Sequence, residues 1–336
     1  MTRTAATHLD AATTTLLAGS LRALFAANAG PDAVATGLAE LGWDEVLAGD
    51  PVAATTLLFT EHGRALATSR ALDGVVLAEL APWLPAASGP RAVLHPHPAD
   101  GDDLCTPAGP LRGLLLGALD GVAEVVVPTG PADAARLLVV PAAQVAGSAA
   151  PAGGFDPRSG WLAVSGAAAA PATTSVAAAS AWTRGLAAGR RALAAELLGV
   201  CEAALALAAA HTSGRVQYGR PIASFQAVRH RLAEAHVAVE ATRSTLDAAW
   251  AAAGAPDGGA WAARVAKHRA GSAQAEVMRH CVQVLGAMGL SLEGDLHRYV
   301  TRAAALDALL GGHLWLAETT GTALLDGAAV DPVVEI

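Results

Sequence analysis

Residues 215–226, Arg-Val-Gln-Tyr-Gly-Arg-Pro-Ile-Ala-Ser-Phe-Gln, separate two long Ala/Leu-rich runs and constrain the fold more than any other stretch. Upstream, Leu193, Leu197, Val200, Ala204 and Leu207 recur by threes and fours, which places them on one stripe of one helix. Downstream, Phe225, Val228, Leu232, Ala235 and Val239 repeat the pattern. Between the runs, Gly219 suits the left-handed conformation that ends a helix, and Pro221 blocks continuation. Ser224 is placed to cap the second helix. A third helix is expected from near Trp261 to Leu285, after a Gly/Pro/Asp loop at 251–259, and a fourth from Leu296 to Leu310. Four long helices joined by short loops make a bundle.

The rest of the chain has a different texture. Residues 10–85 read as helical, with Leu17, Leu21, Leu24 and Phe25 at helical spacing and a later helix carrying Leu58, Glu61, His62, Gly63, Arg64 and Leu66. From Arg91 to about 170 come short apolar runs, such as Val125-Val126-Val127 and Leu137-Leu138-Val139-Val140, each bounded by Gly, Pro or Asp. These are the marks of short strands joined by turns. The expected architecture is α+β in three parts: N-terminal helices over 1–88, a middle β-domain over 89–175 and a C-terminal four-helix bundle over 176–336.

Composition narrows the function classes. Of 336 residues, 53% are hydrophobic and 15% charged, so much surface is expected to be buried against other subunits. The net charge of −8 and the lack of a basic cluster argue against a nucleic-acid partner. No unbroken apolar run of about 18 residues and no basic-then-apolar leader is read, so a soluble, cytoplasmic, non-membrane chain is expected. Cys105, Cys201 and Cys281 are widely spaced and read as reduced thiols. His95-Pro96-His97-Pro98-Ala99-Asp100-Gly101-Asp102-Asp103 places two His and three Asp together. It could suggest a metal site, but proline between the histidines forces an extended chain, so a polar solvated loop and no metal are expected.

Residues 215–226 resemble the R-x-Q-F-G-x-P-I-x-x-F-Q signature of the acyl-CoA dehydrogenase family, with Tyr218 for Phe. The order Leu41-Gly42-Trp43, then Glu61-His62-Gly63-Arg64, resembles the N-terminal helical domain of its short actinobacterial-type members. Phe155-Asp156-Pro157-Arg158 resembles the segment leading into a strand of the family's middle domain. Gln283-Val284-Leu285-Gly286-Ala287-Met288-Gly289 resembles Q-x-x-G-G-x-G, with Ala287 for the second Gly. The resemblance implies FAD as cofactor and an acyl-CoA thioester as substrate. It also implies that Arg215, Gln217, Tyr218, Gln226, Gln283 and Gly286 meet the adenine-diphosphate half of a FAD on a neighbouring subunit, and that Arg190 contacts substrate.

The catalytic half of the pattern is missing. The family's flavin-facing T-E-x-x-x-G-S-D loop and W-I-T-N-G strand are not found. The base that takes the substrate's α proton is a Glu in a Glu-Gly pair, which aligns with Leu310-Gly311. In other members it precedes an Arg on the first bundle helix, which aligns with Gly189-Arg190. Asp307 and Glu318 are the nearest carboxylates, each readable as a displaced base or as a solvated helix side chain. The pattern resembles the non-catalytic subunit of a heteromeric acyl-CoA dehydrogenase, working as a homo-oligomer or as a heterotetramer with a catalytic subunit. Two other readings are a self-sufficient enzyme with a displaced carboxylate, and a chain of this fold that has lost flavin and serves as a scaffold or non-redox catalyst.

Overall fold

Local chemistry starts the N-terminal helices. The Asp10 carboxylate accepts from the Thr13 N–H at 2.7 Å, and Asp50 does the same for Ala53 at 3.0 Å. Pro51 takes the first helical position, where no intrahelical N–H is needed. The computed structural model describes residues 9–27, 30–100, 104–106, 109–154, 156–168 and 174–329. Its first part is five helices: α1 (Ala11–Ala26), α2 (Gly30–Glu40), α3 (Trp43–Gly49), α4 (Pro51–Ala65) and α5 (Ala71–Leu80). Leu66 closes α4 in the left-handed region, at φ 51°.

The strands follow: β1 (Arg91–Val93), β2 (Pro110–Leu115), β3 (Glu124–Thr129), β4 (Arg136–Pro141), then the one-turn helix α6 (Ala142–Ala146), β5 (Ala149–Pro151), β6 (Leu162–Ala168) and β7 (Thr174–Ala177). They form two sheets, ordered β1-β3-β4-β7 and β2-β6-β5. All paired strands are antiparallel except β1 with β3, where Ala92 sits opposite Val125 in a parallel register. Val125 and Val127 point into the space between the sheets, with Leu111, Leu115 and Val164. Val126, on the opposite face, packs with Val76, Leu80, Ala181 and Trp182 from the helices. Burial on both faces explains why this strand reads as an unbroken valine run rather than an alternation.

The remainder is helical: α7 (Ala179–Gly214), α8 (Gln226–Ala251), α9 (Ala260–Leu285), the short α10 (Ala287–Leu290), α11 (Leu296–Ala308) and α12 (His313–Leu325). Helix α7, 36 residues and about 54 Å long at 1.5 Å per residue, is the axis on which α4, α5, α8, α9 and α11 pack. Although charged residues interrupt its apolar run, α7 carries an 18-residue window with mean hydropathy 1.8, enough by composition to cross a membrane; 67% of that window is buried among the other elements. Two glycines let α4 meet α7 backbone to backbone. A methyl group on Gly63 would overlap the Glu196 carbonyl oxygen, and one on Gly199 would overlap that of Thr60.

The hinge departs from the expected helix stop. Helix α7 ends at Gly214, and the chain then forms a two-stranded hairpin, β8 (Val216–Gln217) with β9 (Arg220–Pro221). Tyr218 (φ 53°) and Gly219 (φ 77°) are its two turn residues, both left-handed, as a tight hairpin requires. Ser224 does not cap α8; its hydroxyl donates to the Pro221 carbonyl at 2.7 Å. A two-residue hairpin and a helix stop share the same Gly/Pro vocabulary, so sequence alone did not separate them.

Candidate functional site

Gly189 and Leu310, the two positions expected from the resemblance to be base seats, lie against each other. A Cβ built on Gly189 of α7 would stand 2.7 Å from Leu310 Cδ1, with Val76 and Leu72 of α5 at 3.3 and 3.7 Å. Leu310 is 6% exposed and sits at φ 53°, a strained conformation for a side chain branched at Cγ. Gly311 follows at φ 101°. The turn between α11 and α12 therefore drives Leu310 into the gap that Gly189 leaves on α7.

Two buried cations hold that turn. Arg190, 3% exposed, donates through Nε to the Leu310 carbonyl at 3.0 Å. Lys267 of α9 is fully buried, and its Nζ donates to the carbonyls of Asp307 (2.7 Å) and Gly311 (3.1 Å). These carbonyls mark the C-terminal end of α11, where a helix favours positive charge. Burial pulls the Lys267 ammonium down to about 8, opposed by its ion pair with Asp307 at 3.5 Å. Sequence reading did not single out Lys267, because a lysine in a helical run reads as surface.

The carboxylate candidates separate. Asp307, read as a solvated helix residue if not a base, is instead buried and engaged. It accepts from the His313 N–H at 3.2 Å, lies 2.6 Å from His313 Nδ1 and pairs with Lys267. Gly271 of α9 is small enough to admit it; a Cβ there would overlap Asp307 Oδ1. Glu318 is exposed on α12.

A cleft between the middle strands and the bundle opens beside Leu310. Pro96 and His97 line one wall, Trp182 and Leu186 of α7 another, and Leu310 and Gly311 the floor. Its cavity volume is about 20 Å³, room for about one water. His95 is not part of a solvated loop: it is 0% exposed, with Nε2 2.7 Å from Asp73 Oδ1. His97 and Asp100 fit the polar reading, both meeting the Arg112 guanidinium. Among the described residues no group of three His, Cys, Asp or Glu could hold a metal. Gly101, Asp102 and Asp103 of that segment, and Phe155 of the β-domain segment, lie outside the described residues.

The residues expected to meet a dinucleotide stand elsewhere. Arg215, Gln217, Gln226, Gln283 and Gly286 are exposed, and Tyr218 is 92% exposed. Helices α7, α8 and α9 run antiparallel in turn, so the end of α7, the start of α8 and the end of α9 share one end of the bundle. Glu234 of α8 lies 3.5 Å from His280 Nε2 of α9, which is consistent with that register. Gly286, at φ 60° and ψ −135°, ends α9 in a conformation open to glycine. Arg215 follows Gly189 by 26 residues, so the cluster lies about 39 Å along α7 from the seat at Gly189.

Residues 179–314 match the family model described as acyl-CoA dehydrogenase, C-terminal domain. The chain is 34% identical over 119 residues to the acyl-CoA dehydrogenase IpdE2 of Mycolicibacterium smegmatis, covering 35% of this chain and 37% of that protein. It is 41% identical over 132 residues to the acyl-CoA dehydrogenase FadE34 of Mycobacterium tuberculosis, covering 38% of this chain and 18% of that one. The chain thus spans 37% of the first relative's length and 18% of the second's. Among solved structures, the ChsE4-ChsE5 complex from Mycobacterium tuberculosis superposes with a TM-score of 0.75 at 23% identity, over 98% of this chain and 99% of that chain. The whole chain therefore has the acyl-CoA dehydrogenase fold. Its C-terminal bundle, over residues 179–314, is similar to the C-terminal domain of acyl-CoA dehydrogenases.

Proposed function

We propose that this chain is an acyl-CoA dehydrogenase subunit that lacks its own base and presents Arg215, Gln217, Tyr218, Gln226, Gln283 and Gly286 to a FAD held mainly by another chain. The observation that carries the reading is the contact between Leu310 and Gly189. Both base seats converge on one place, and an aliphatic side chain fills it. When bound, FAD accepts the hydride that leaves the β carbon of an acyl-CoA. This chain's residues fit only the far half of that cofactor. Arg215 offers a planar set of donors to diphosphate oxygens, and Gln226 and Gln283 offer amides to a purine edge. All are open to a neighbouring surface in the single chain.

The near half does not fit. A cavity of about 20 Å³ beside Leu310 accommodates neither a flavin ring nor an acyl chain. No step of the dehydrogenation is accordingly assigned to this chain. Arg190, expected to touch substrate, spends its Nε on the Leu310 carbonyl and acts to hold the turn. The ChsE4-ChsE5 complex holds two kinds of subunit by its name, and an assembly of that kind suits a chain with donors outward and its own seat closed. Co-expression with candidate catalytic partners tests the reading. The expected result is a yellow complex whose flavin content falls at least severalfold with Arg215→Ala. Unchanged flavin content in that variant would overturn it.

The closed cleft also favours a second reading, in which the fold has lost flavin and serves as a scaffold or a non-redox catalyst. A colourless protein with every partner tried, and no partner stably bound, is the outcome that selects it.

A further inference from the structure

Away from the closed seat, three side chains form a continuous hydrogen-bonded chain. The α4–α7 crossing, made close by Gly63 and Gly199, sets His62 beside Glu196. His62 Nδ1 lies 2.9 Å from Glu196 Oε1, and His62 Nε2 lies 2.9 Å from Ser69 Oγ. The side chains of His62 and Glu196 are sealed from solvent, at 7% and 5% exposure, while Ser69 is half-buried. Phe25 packs edge-on against the imidazole at 5.4 Å and Phe59 lies beside it at 6.3 Å, so the ring has little freedom to turn.

This order of groups fixes the protons. An ionised carboxylate only accepts, so His62 Nδ1 carries hydrogen and donates to Glu196. Nε2 is then the acceptor, and the Ser69 hydroxyl donates to it. A carboxylate that sets the tautomer of a histidine, whose other nitrogen takes a serine proton, is the arrangement of a serine nucleophile with its base. Two further features suit the chemistry. Ser69 lies just before the ten-residue helix α5, whose first-turn N–H groups have no intrahelical partner. One of them, Ala71 N–H, already donates to Ser69 Oγ at 3.2 Å. The three groups also share a cavity with apolar walls from Leu72, Leu116, Trp161 and Leu309.

We infer that Ser69, His62 and Glu196 form a nucleophilic site for small activated acyl groups, esters or thioesters. It is independent of any flavin role. Ser69 Oγ adds to the carbonyl carbon as its proton passes to His62 Nε2. The carbon–oxygen or carbon–sulfur bond breaks, and the leaving alcohol or thiol takes that proton. Water then adds to the acyl-serine, again giving a proton to His62, and releases a carboxylic acid and free serine. Ester plus water gives acid plus alcohol, or thioester plus water gives acid plus thiol, with no change of oxidation state. Glu196 touches no substrate and acts as a positioning residue. The enclosed volume, about 20 Å³, holds about one water, so the ester is met at the mouth beside the half-buried Ser69, with little of its acyl group enclosed.

The test uses the full chain with a small alkyl fluorophosphonate, 4-nitrophenyl acetate and acetyl-CoA. The expected result is one phosphonate adduct per chain, on the peptide containing Ser69, with burst kinetics on the nitrophenyl ester. Turnover of acetyl-CoA as well assigns the site to thioesters; turnover of the nitrophenyl ester alone assigns it to esters. Ser69→Ala should abolish labelling. Glu196→Gln keeps the shape but leaves the wrong histidine tautomer available, so turnover should fall about 10²–10⁴-fold with the near-ultraviolet circular dichroism unchanged. The pH dependence of the wild type's rate should also change shape in Glu196→Gln, which a merely structural loss would not cause. If Ser69 stays unmodified in the folded chain, or if Ser69→Ala hydrolyses the ester as fast as wild type, the three residues are structural only and the inference is overturned.

Discussion

Leu310 Cδ1 occupies the space that a side chain at Gly189 would need, with 2.7 Å between it and an ideal Cβ. The two residues are 121 positions apart on α7 and on the α11–α12 turn, and neither is informative by itself. Paired, they form a plug of one leucine in one glycine gap. Gly189→Ala should cost about 1–3 kcal/mol, the usual range for overpacking a tight core. In a Leu310→Ala background most of that cost should disappear, because the methyl it would strike is gone. Urea denaturation of the two single variants and the double gives the coupling directly. Additive costs would mean that the two residues do not press on each other.

Helix α4 meets α7 through Gly63 and Gly199, each facing a carbonyl oxygen of the other helix. Neither neighbour is a flexible side-chain end, so an added methyl must push the helices apart. Gly63→Ala and Gly199→Ala should each destabilise the chain by about 1–3 kcal/mol or more. Because both act at one crossing, the double variant should lose less than the sum. Thermal melts of the three variants decide this. A Gly199→Ala protein as stable as wild type would show that the crossing is looser than its geometry.

How much of this was legible in the sequence depends on whether the information was local. The helix–hinge–helix of 215–226 was readable because period, Gly and Pro act within a few residues, although hairpin and helix stop share those signals. The valine run at 125–127 announced a strand by β-branching but not its partners. Arg215, Gln226 and Gln283 were singled out through a motif, and Gly189 and Leu310 through its spacing. Lys267 was missed, since only the return of the α11 end onto α9 makes it a buried cap. Asp307 was misread as solvated for the same reason. The Ser69–His62–Glu196 chain was missed because Glu196 lies 134 residues from His62, joined only by the α4–α7 crossing.

Lys267 gives the stability an alkaline signature. Its ordinary pKa is 10.5 and burial lowers it to about 8 in the fold. Below pH 8 the group is charged in both states and its burial penalty is constant. Between about 8 and 10.5 the folded chain has released the proton that the unfolded chain still holds, so the contribution of Lys267 to stability rises with pH. Buried thiols act the other way. Cys281 is pushed up to about 12 and Cys201 higher still, chiefly by burial, so their contribution falls as the unfolded thiols ionise above about 9. Comparison with Lys267→Met cancels the thiols. The stability of wild type relative to that variant should grow from pH 8 to 10, by on the order of 1–2 kcal/mol. A difference that stays flat across this range would mean that Lys267 keeps its proton.

Activity is the last and most direct test. Alone, the chain should dehydrogenate acyl-CoA poorly or not at all. The α proton of a thioester is weakly acidic, and a positioned base contributes about 10²–10⁴-fold, roughly 3–5 kcal/mol of barrier. Leu310 can take no proton, and Gly189 has no side chain. Leu310→Glu restores a carboxylate in sequence but should not restore turnover. The new side chain would lie among Leu72, Val76 and Gly189, where burial favours its protonated form. Arg190 is already engaged with the carbonyl at that residue, and the cleft beside it has no room for an acyl chain. The variant should therefore melt lower than wild type and remain inactive, whereas a catalytic partner subunit added to the wild-type chain should yield an active complex. Turnover by the purified chain alone, abolished by Asp307→Asn or Glu318→Gln, would make that carboxylate the base and overturn the reading of this chain as non-catalytic.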